Sequence, residues 1–276
     1  MNSVSVSLLK CPICGTDMRM DDAQRSCFCD GARRHCYDVA RSGYLNLAMP
    51  SDGEGDLKAA VAARRLFLES GYYSKLSDAV NGWLDSLCAS VVLDAGCGEG
   101  YYTNRMATDR DALGIDLSRS GIDLAARYAK QHATRASFAV GNLFALPIRD
   151  SSVDVVVNLF APCAESEFSR VLRHKGHLLL VGAGERHLFG LKEALYEKPY
   201  LNAGRADLPT GMTLIQHQRI TDTICVRGRE QIDALFSMTP YYWRTSDADR
   251  EKLKSIDELY TEIDFAIYLF EKGENL

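Results

Sequence analysis

The residues with the strongest chemical character crowd the N-terminus. Cys11 and Cys14 are separated by two residues and followed by Gly15, and Cys27, Cys29, His35 and Cys36 come soon after. Five of the nine cysteines fall in the first 36 residues. A Cys-x-x-Cys turn lets two thiolates reach one metal ion, and zinc asks for four tetrahedral nitrogen or sulfur donors. The second pair must come from Cys27, Cys29, His35 and Cys36. Cys27 and Cys29 are one residue apart, awkward for a single ion. Cys29 and His35 have five residues between them, at the long edge of the usual spacing. A disulfide framework would be spread more evenly and would suit a shorter secreted chain. A redox pair would sit in a thioredoxin-like strand–helix–strand unit, which does not surround Cys11. Plain buried thiols are the bland alternative. Four protein donors leave no open coordination position, so a metal here would be structural.

The second chemical feature is the run Val91-Val-Leu-Asp-Ala-Gly-Cys-Gly-Glu-Gly-Tyr101. An apolar strand ends at Asp94, and Gly96, Gly98 and Gly100 turn the chain into a helix. Such a turn brings backbone close to a ligand and offers the free N–H groups of a helix start. Dinucleotide sites use the related Gly-x-Gly-x-x-Gly spacing; here a single residue separates the second and third glycines. Asp94 can receive an ammonium group. Asp116 ends the next strand, where a carboxylate can hold two ribose hydroxyls, although capping the following helix is an ordinary alternative that Ser118 could serve instead. Together these residues resemble the glycine loop of the class I methyltransferases that use S-adenosylmethionine (SAM). The resemblance implies that Leu117, beside Asp116, and Asn142 and Leu143, after the third strand, complete the cofactor pocket. It implies that Asn158-Leu-Phe-Ala-Pro162 faces the methyl acceptor. Leu146-Pro147 and Ser152-Val-Asp154 fit the approach to the fourth strand. Arg173-His-Lys-Gly176 departs from the usual Arg-Pro-Gly-Gly turn before the fifth.

These residues need a scaffold, and the pattern supplies one. Short apolar runs at Val91–Asp94, Ala112–Asp116, Ser137–Val140, Val153–Leu159 and His177–Val181 alternate with helical segments near Tyr102–Thr108, Ser120–His132 and Glu165–Arg173. That alternation predicts an α/β fold, a doubly wound sheet with helices on both faces. Before it runs a helical stretch from about Leu57 to Leu87, broken near Gly71; after it come helices near Leu188–Tyr196 and Arg229–Met238 and strands near Met212–Ile220 and Asp264–Phe270. Residues 50–56, rich in turn formers and acids, read as a linker. The expected division is a zinc-binding domain over 1–50 and a methyltransferase domain over 51–276. With 32 Lys and Arg against 37 Asp and Glu the net charge is −5, so any basic surface is a local patch. No apolar run reaches the ~18–20 residues of a membrane span. The polar start without a basic lead lacks the form of a secretory signal; a cytoplasmic protein with no membrane partner is expected.

Further stretches carry a closer resemblance. They are Cys11-Pro-Ile-Cys14, His35-Cys-Tyr-Asp38, Gly43-Tyr-Leu-Asn-Leu47, Ala63-Arg-Arg65 with Phe67-Leu68, and Gly71-Tyr-Tyr73. Asp94 to Thr103, Ala161-Pro-Cys163, Arg186-His-Leu188, Met238-Thr-Pro240 and Trp243-Arg244 complete the set. Over nearly the whole chain they are similar to the 23S ribosomal RNA (guanine-N1)-methyltransferases, which place a zinc knuckle before a class I SAM domain. The resemblance implies Cys11, Cys14, Cys29 and His35 as zinc ligands, although this chain has two more residues between Cys29 and His35 than the family pattern and adds Cys27 and Cys36. It implies Tyr73, Gly98, Glu99 and His187 in the SAM site, and a 23S rRNA hairpin gripped by a homodimer. Without it His187 would pass for a satisfied surface histidine, Tyr73 for core, and Arg64 with Arg65 for a solvated helix face. N1 of guanine lies on the pairing edge, so the base must be unpaired, and its proton must leave as the methyl arrives. His187, Asp154, Asn158 and the backbone carbonyls of 160–162 are the candidates to assist. Arg33, Arg34, Arg64 and Arg65 are the candidate phosphate contacts. The alternatives are a small-molecule methyltransferase with a structural zinc module, and a non-catalytic zinc-ribbon partner with a vestigial SAM fold.

Overall fold

A computed structural model describes residues 2–204 and 208–273. A short helix α1 (Ser3–Ser7) leads into a three-stranded antiparallel sheet of β1 (Met18–Met20), β2 (Ser26–Cys29) and β3 (Cys36–Asp38). Next come β4 (Leu45–Asn46), α2 (Lys58–Glu69) and α3 (Ser74–Ser86), the two helices breaking at Gly71 as expected. The alternating part follows: β5 (Val91–Ala95), α4 (Tyr101–Met106), β6 (Asp111–Asp116), α5 (Arg119–His132), β7 (Ala136–Val140), β8 (Val153–Leu159), α6 (Glu165–Val171), β9 (Leu172–Ala183) and α7 (Phe189–Leu195). The chain ends with β10 (Met212–Arg227), α8 (Arg229–Ser237), α9 (Asp247–Leu253) and β11 (Glu258–Lys272).

The large sheet runs β10-β11-β9-β8-β5-β6-β7-β4. Its strands from β9 to β4 are parallel, and β11 inserts antiparallel between β9 and β10. The order reverses at β5, so the carboxyl ends of β5, β6 and β8 open a crevice at the switch point, where α/β folds bind ligands. Each central strand is apolar on both sides. Val92, Val155 and Val157 enter one hydrophobic cluster, and Leu93, Val156 and Leu178 the other, as a sheet covered on both faces requires.

β10 and β11 are longer than the sequence suggests, because they pair with each other past the end of β9, from Met212↔Lys272 to Arg227↔Glu258. The two strands, joined through α8 and α9, are held there by their ladder and by burial of Val226, Leu259 and Ile263 in the core.

The N-terminal segment is welded to the large sheet. Leu8, Leu9, Leu45 and Leu47 are buried in the same cluster as Leu93, Leu113 and Ile115, and β4 adds in parallel to β7. Full burial of a leucine contributes about 1.5–3 kcal/mol, so four of them fix the zinc-binding segment against the sheet. The Asn2 side chain caps α1 and also donates to Asp111 (3.0 Å).

Candidate metal centre and cofactor site

The donor atoms of Cys11, Cys14, Cys29 and His35 all lie within 4.8 Å of one another. Cys14 and Cys29 sulfurs are 3.6 Å apart, and His35 Nδ1 is 3.5 Å from Cys11 and 3.4 Å from Cys29. Tetrahedral zinc with ordinary bond lengths sets these separations at about 3.8 Å and about 3.6 Å, so the donor set fits zinc. β2 hydrogen-bonds to β3, and the turn between them folds His35 back so that its N–H donates to the Cys29 sulfur (3.1 Å). The Tyr37 hydroxyl lies 3.2 Å from Cys11 sulfur and the Thr16 hydroxyl 3.2 Å from Cys14, placing donors around sulfurs that carry negative charge. Burial opposes ionisation of Cys29, but the N–H groups of His35 and Gly31 outweigh it and bring the thiol down to about 6. Cys27 and Cys36 lie outside the cluster; Cys27 is buried in the core and Cys36 is exposed.

At the switch point β5 delivers Asp94, 1% exposed, whose Oδ2 accepts the Thr103 hydroxyl at 2.5 Å. Its Oδ1 is buried with no hydrogen-bond partner, and so is Glu99 Oε2. A buried unpartnered carboxylate oxygen is costly, and two at one glycine loop ask for a cationic ligand. Burial pushes Asp94 up to about 7, against the hydrogen bond from Thr103; burial likewise pushes Glu99 up to about 7, against the Arg64 guanidinium. Asp116 accepts N–H bonds from Gly98 (3.0 Å) and Ser118 (2.7 Å), which offset part of its burial. Ser118 caps α5 by accepting from Gly121, so Asp116 is spared that task.

The loop needs its glycines. At Gly96 φ is +86°, and a Cβ would meet that of Ala161 at 2.4 Å; at Gly100 φ is +77°, and a Cβ would meet Ala125 at 2.5 Å. Leu143 packs beside Gly96, Leu117 is half-buried after Asp116, and the Asn142 side chain caps the turn that follows β7.

Tyr73 and His187 are 114 residues apart and meet at 3.1 Å, both buried. His187 Nδ1 accepts the backbone N–H of Asp264 (3.2 Å). A backbone N–H can only donate, so the neutral imidazole carries its proton on Nε2 and donates it to the Tyr73 oxygen. The Tyr73 hydroxyl proton is then directed elsewhere. Burial lowers His187 to about 4, against the pull of Asp264. Both of its nitrogens are engaged, which corrects its reading as a general base.

Two more of the expected proton acceptors do not fit. Asp154 sits near the start of β8, at the opposite end from the crevice, and accepts from the N–H groups of Ser90 and Val91. Asn158 is fully buried; its amide donates to the carbonyls of Ala95 (2.8 Å) and Pro162 (3.3 Å), clamping the loop after β8 to β5. Arg64 and Arg65 also depart from the phosphate-contact reading. Arg64 pairs with Asp56 (2.7 Å), approaches Glu99 (3.9 Å), and its Nη1 lies 3.3 Å from where a Gly98 Cβ would stand. Arg65 pairs with Glu69 one turn on and lies over Tyr128. Arg33 and Arg34 are exposed, Arg34 lying over the Phe28 ring.

Sequence reasoning missed the role of the linker, which lies across the crevice. Asn142 donates to Asp52 (3.0 Å), Ser118 donates to the Asp56 carbonyl (3.1 Å), and a Cβ on Gly55 would meet Ser118 N at 2.3 Å. Acids at alternate positions of a turn-rich stretch were the available signal, and they read equally well as solubility.

Comparison with known proteins agrees with this geometry. A family model described as "Methyltransferase domain" matches residues 92–179, and one described as "RlmA, N-terminal", a zinc ribbon, matches residues 9–52. The 23S rRNA (guanine(748)-N(1))-methyltransferase of Streptomyces fradiae is 35% identical over 199 residues, 69% of this chain and 68% of that one. YxjB of Bacillus subtilis, provisionally named a 23S rRNA (guanine-N(1)-)-methyltransferase, is 30% identical over 274 residues, 93% of each chain. Among solved structures, phosphoethanolamine N-methyltransferase 2 of Haemonchus contortus with SAM matches at TM-score 0.48 and 16% identity, over 79% of this chain and 58% of that one.

Proposed function

The chain belongs to the 23S rRNA (guanine-N1)-methyltransferase family, and we propose that its own reaction is transfer of the SAM methyl group to N1 of a guanine in a 23S rRNA hairpin loop. The observation that carries the reading is the buried Asp94 oxygen left with no hydrogen bond beside the glycine loop, next to a Glu99 oxygen that has only a long ion pair to Arg64, in a chain whose zinc donors converge.

SAM supplies an activated methyl on a sulfonium centre. The chain's own residues bind and orient. Asp94 and Glu99 offer negative charge to the ammonium and sulfonium ends, and Asp116 stands where a ribose would be held. Tyr73, its oxygen occupied by His187 Nε2–H, has its own proton to donate into the site. Asn142, Leu143 and Leu117 form the adenine side. With His187 neutral and engaged, Asp154 remote and Asn158 a clamp, the chain's main contribution is alignment of donor and acceptor, worth several powers of ten when reacting atoms are held in line, and the N1 proton leaves past the backbone carbonyls of 160–162 to water.

The division of labour we assign is RNA recognition by residues 1–50 and catalysis by 51–276. Exposed Arg33 and Arg34 on the zinc segment support it. The hairpin and a homodimer with zinc segments flanking the RNA come from the resemblance, and a cytoplasmic location is consistent with a family that modifies ribosomal RNA. Among the described residues no helix is long and apolar enough to cross a membrane. The test is transfer from labelled SAM to unmodified 23S rRNA, mapped by reverse transcription, which halts at N1-methylguanine. One stop in a hairpin loop is the expected result; SAM binding without transfer to rRNA would move the acceptor to another class.

A further inference from the structure

Phe160 stands one residue past the end of β8, at the rim of the crevice. It is 45% exposed, although it is a large apolar side chain among buried neighbours. Its φ is +54°, a left-handed conformation that a bulky side chain adopts only at a cost of about 1–3 kcal/mol. The surroundings impose it: the Phe160 N–H donates to the Val181 carbonyl (3.1 Å), and Asn158 ties the Pro162 carbonyl beyond the turn and the Ala95 carbonyl at the end of neighbouring β5. Strain held this firmly at a ligand-binding rim fixes where a side chain points.

What it fixes is an aromatic ring. Phe160 lies nearly parallel to His187, at 20° with centroids 6.3 Å apart, and leans edgewise on Phe265 at 5.8 Å. Phe265 in turn packs against Tyr73 and His187 at 4.9 Å each. Phe160 is thus the outer member of an aromatic cluster whose inner members are buried, its ring roughly parallel to that of His187 and much of its surface open. Its successor, Ala161, touches Gly96 of the SAM loop. An aromatic surface at that spot is suited to a planar group brought beside the methyl donor. Bases taken out of the RNA stack are held by aromatic faces.

We infer that Phe160 is the stacking platform for the extruded guanine, the residue that aligns the acceptor base beside the SAM loop. The inference rests on the rRNA reading above. A role for the π face, not for bulk or cofactor binding, makes a specific pattern among variants.

The experiment compares Phe160→Ala, Phe160→Leu, Phe160→Tyr and Phe160→Trp in single-turnover methyl transfer to unmodified 23S rRNA, with SAM affinity by calorimetry and the thermal midpoint of each. Loss of one base–aromatic stack corresponds to about 5- to 150-fold. Phe160→Ala and Phe160→Leu are expected to lose transfer to RNA by that factor, with SAM affinity within twofold. Phe160→Tyr and Phe160→Trp are expected to restore it to within about fivefold. Leucine serving as well as phenylalanine would overturn the assignment, and so would a fall in SAM affinity that accounts for the lost transfer. If the unaltered protein binds SAM but leaves rRNA unmethylated, the rRNA reading fails first, a result separable from any pattern among the variants.

Discussion

Two negatively charged sites in this molecule are built in opposite ways. The thiolate cluster is drawn from residues 11 to 35, mostly by local hairpin and turn contacts, and its sulfurs are surrounded by donors. Its charge is supported at Cys14 and Cys29, where surrounding donors bring the thiols down, Cys29 to about 6, while burial pushes the Cys11 thiol up. The carboxylate site draws Asp94, Glu99 and Asp116 from two strand ends and the loop between, buries Asp94 and Glu99, and leaves one oxygen of each without a hydrogen bond, that of Glu99 with only a long ion pair to Arg64. Its charge is resisted, as Asp94 and Glu99 near 7 illustrate. The first arrangement suits a cation that stays and contributes to folding; the second suits a cation that comes and goes with each turnover.

The largest expected effect tests whether the two regions are separable at all. Cys11→Ser should abolish stoichiometric zinc by elemental analysis and abolish rRNA methylation; structural zinc contributes about 10–16 kcal/mol in small zinc-finger peptides. Because Leu8, Leu9, Leu45 and Leu47 are packed into the catalytic core and β4 pairs with β7, SAM affinity should also fall, by about threefold or more. Undiminished SAM affinity in zinc-free protein would show that the weld has no functional consequence.

Next in size is the carboxylate site itself. Asp94→Asn should weaken SAM binding by about 10- to 150-fold, as for loss of a charged hydrogen bond. The same change should raise the thermal midpoint of the ligand-free protein at pH 8, because a buried charge is removed. A lower midpoint would mean that Asp94 is structurally satisfied when empty, and the contrast between the sites would collapse.

The pH dependence follows with a definite sign. Asp94 and Glu99 titrate near 7 in the fold and near their ordinary values when unfolded. The native state therefore holds more protons in between, and ligand-free stability falls as pH rises from about 4 to about 7. A cationic ligand favours the ionised forms, so SAM affinity should rise by about tenfold between pH 6 and pH 8 for one responding carboxylate. Calorimetry in buffers of different ionisation heat would detect the released proton; a flat profile would show that neither carboxylate changes protonation on binding.

The smallest effect concerns the linker. Asp56→Ala frees Arg64 from a partly exposed ion pair, a type of contact contributing about 0.2–1 kcal/mol. SAM affinity should change by about fivefold or less, with the dissociation rate moving more than the association rate. No change in either rate would make residues 52–56 a passive cover.

Much of the site was legible because its signals are local. Cys11-x-x-Cys14, the glycine loop and the strand-end acids declare themselves by type and spacing. The full length of the β10–β11 pair was not: Ile220, Ile224 and Val226 of β10 and Leu259 and Ile263 of β11 face the core, but the charged and hydroxyl residues between them dilute the apolar signal. The proton acceptors were misread for a different reason. Asp154 and Asn158 bracket one strand only a few residues apart, yet a strand of that length carries one to the far edge of the sheet and the other to the crevice. Arg64 and Arg65 read as candidate phosphate contacts; which way each points depends on where the linker and α5 lie.

By itself the sequence determined the chemistry available: a soft four-donor metal set, a glycine turn fit for SAM, and apolar runs that must form a sheet covered on both faces. Residue type and near-neighbour spacing suffice for these, since turns, caps and strand faces are set within a few residues. Only the tertiary structure decided which donors converge, that His187 is a neutral partner of Tyr73 and no base, that the linker roofs the crevice, and that Phe160 is held strained and open at its rim. Those facts depend on burial and on contacts between residues far apart in the chain, and both exist only once the layers have packed.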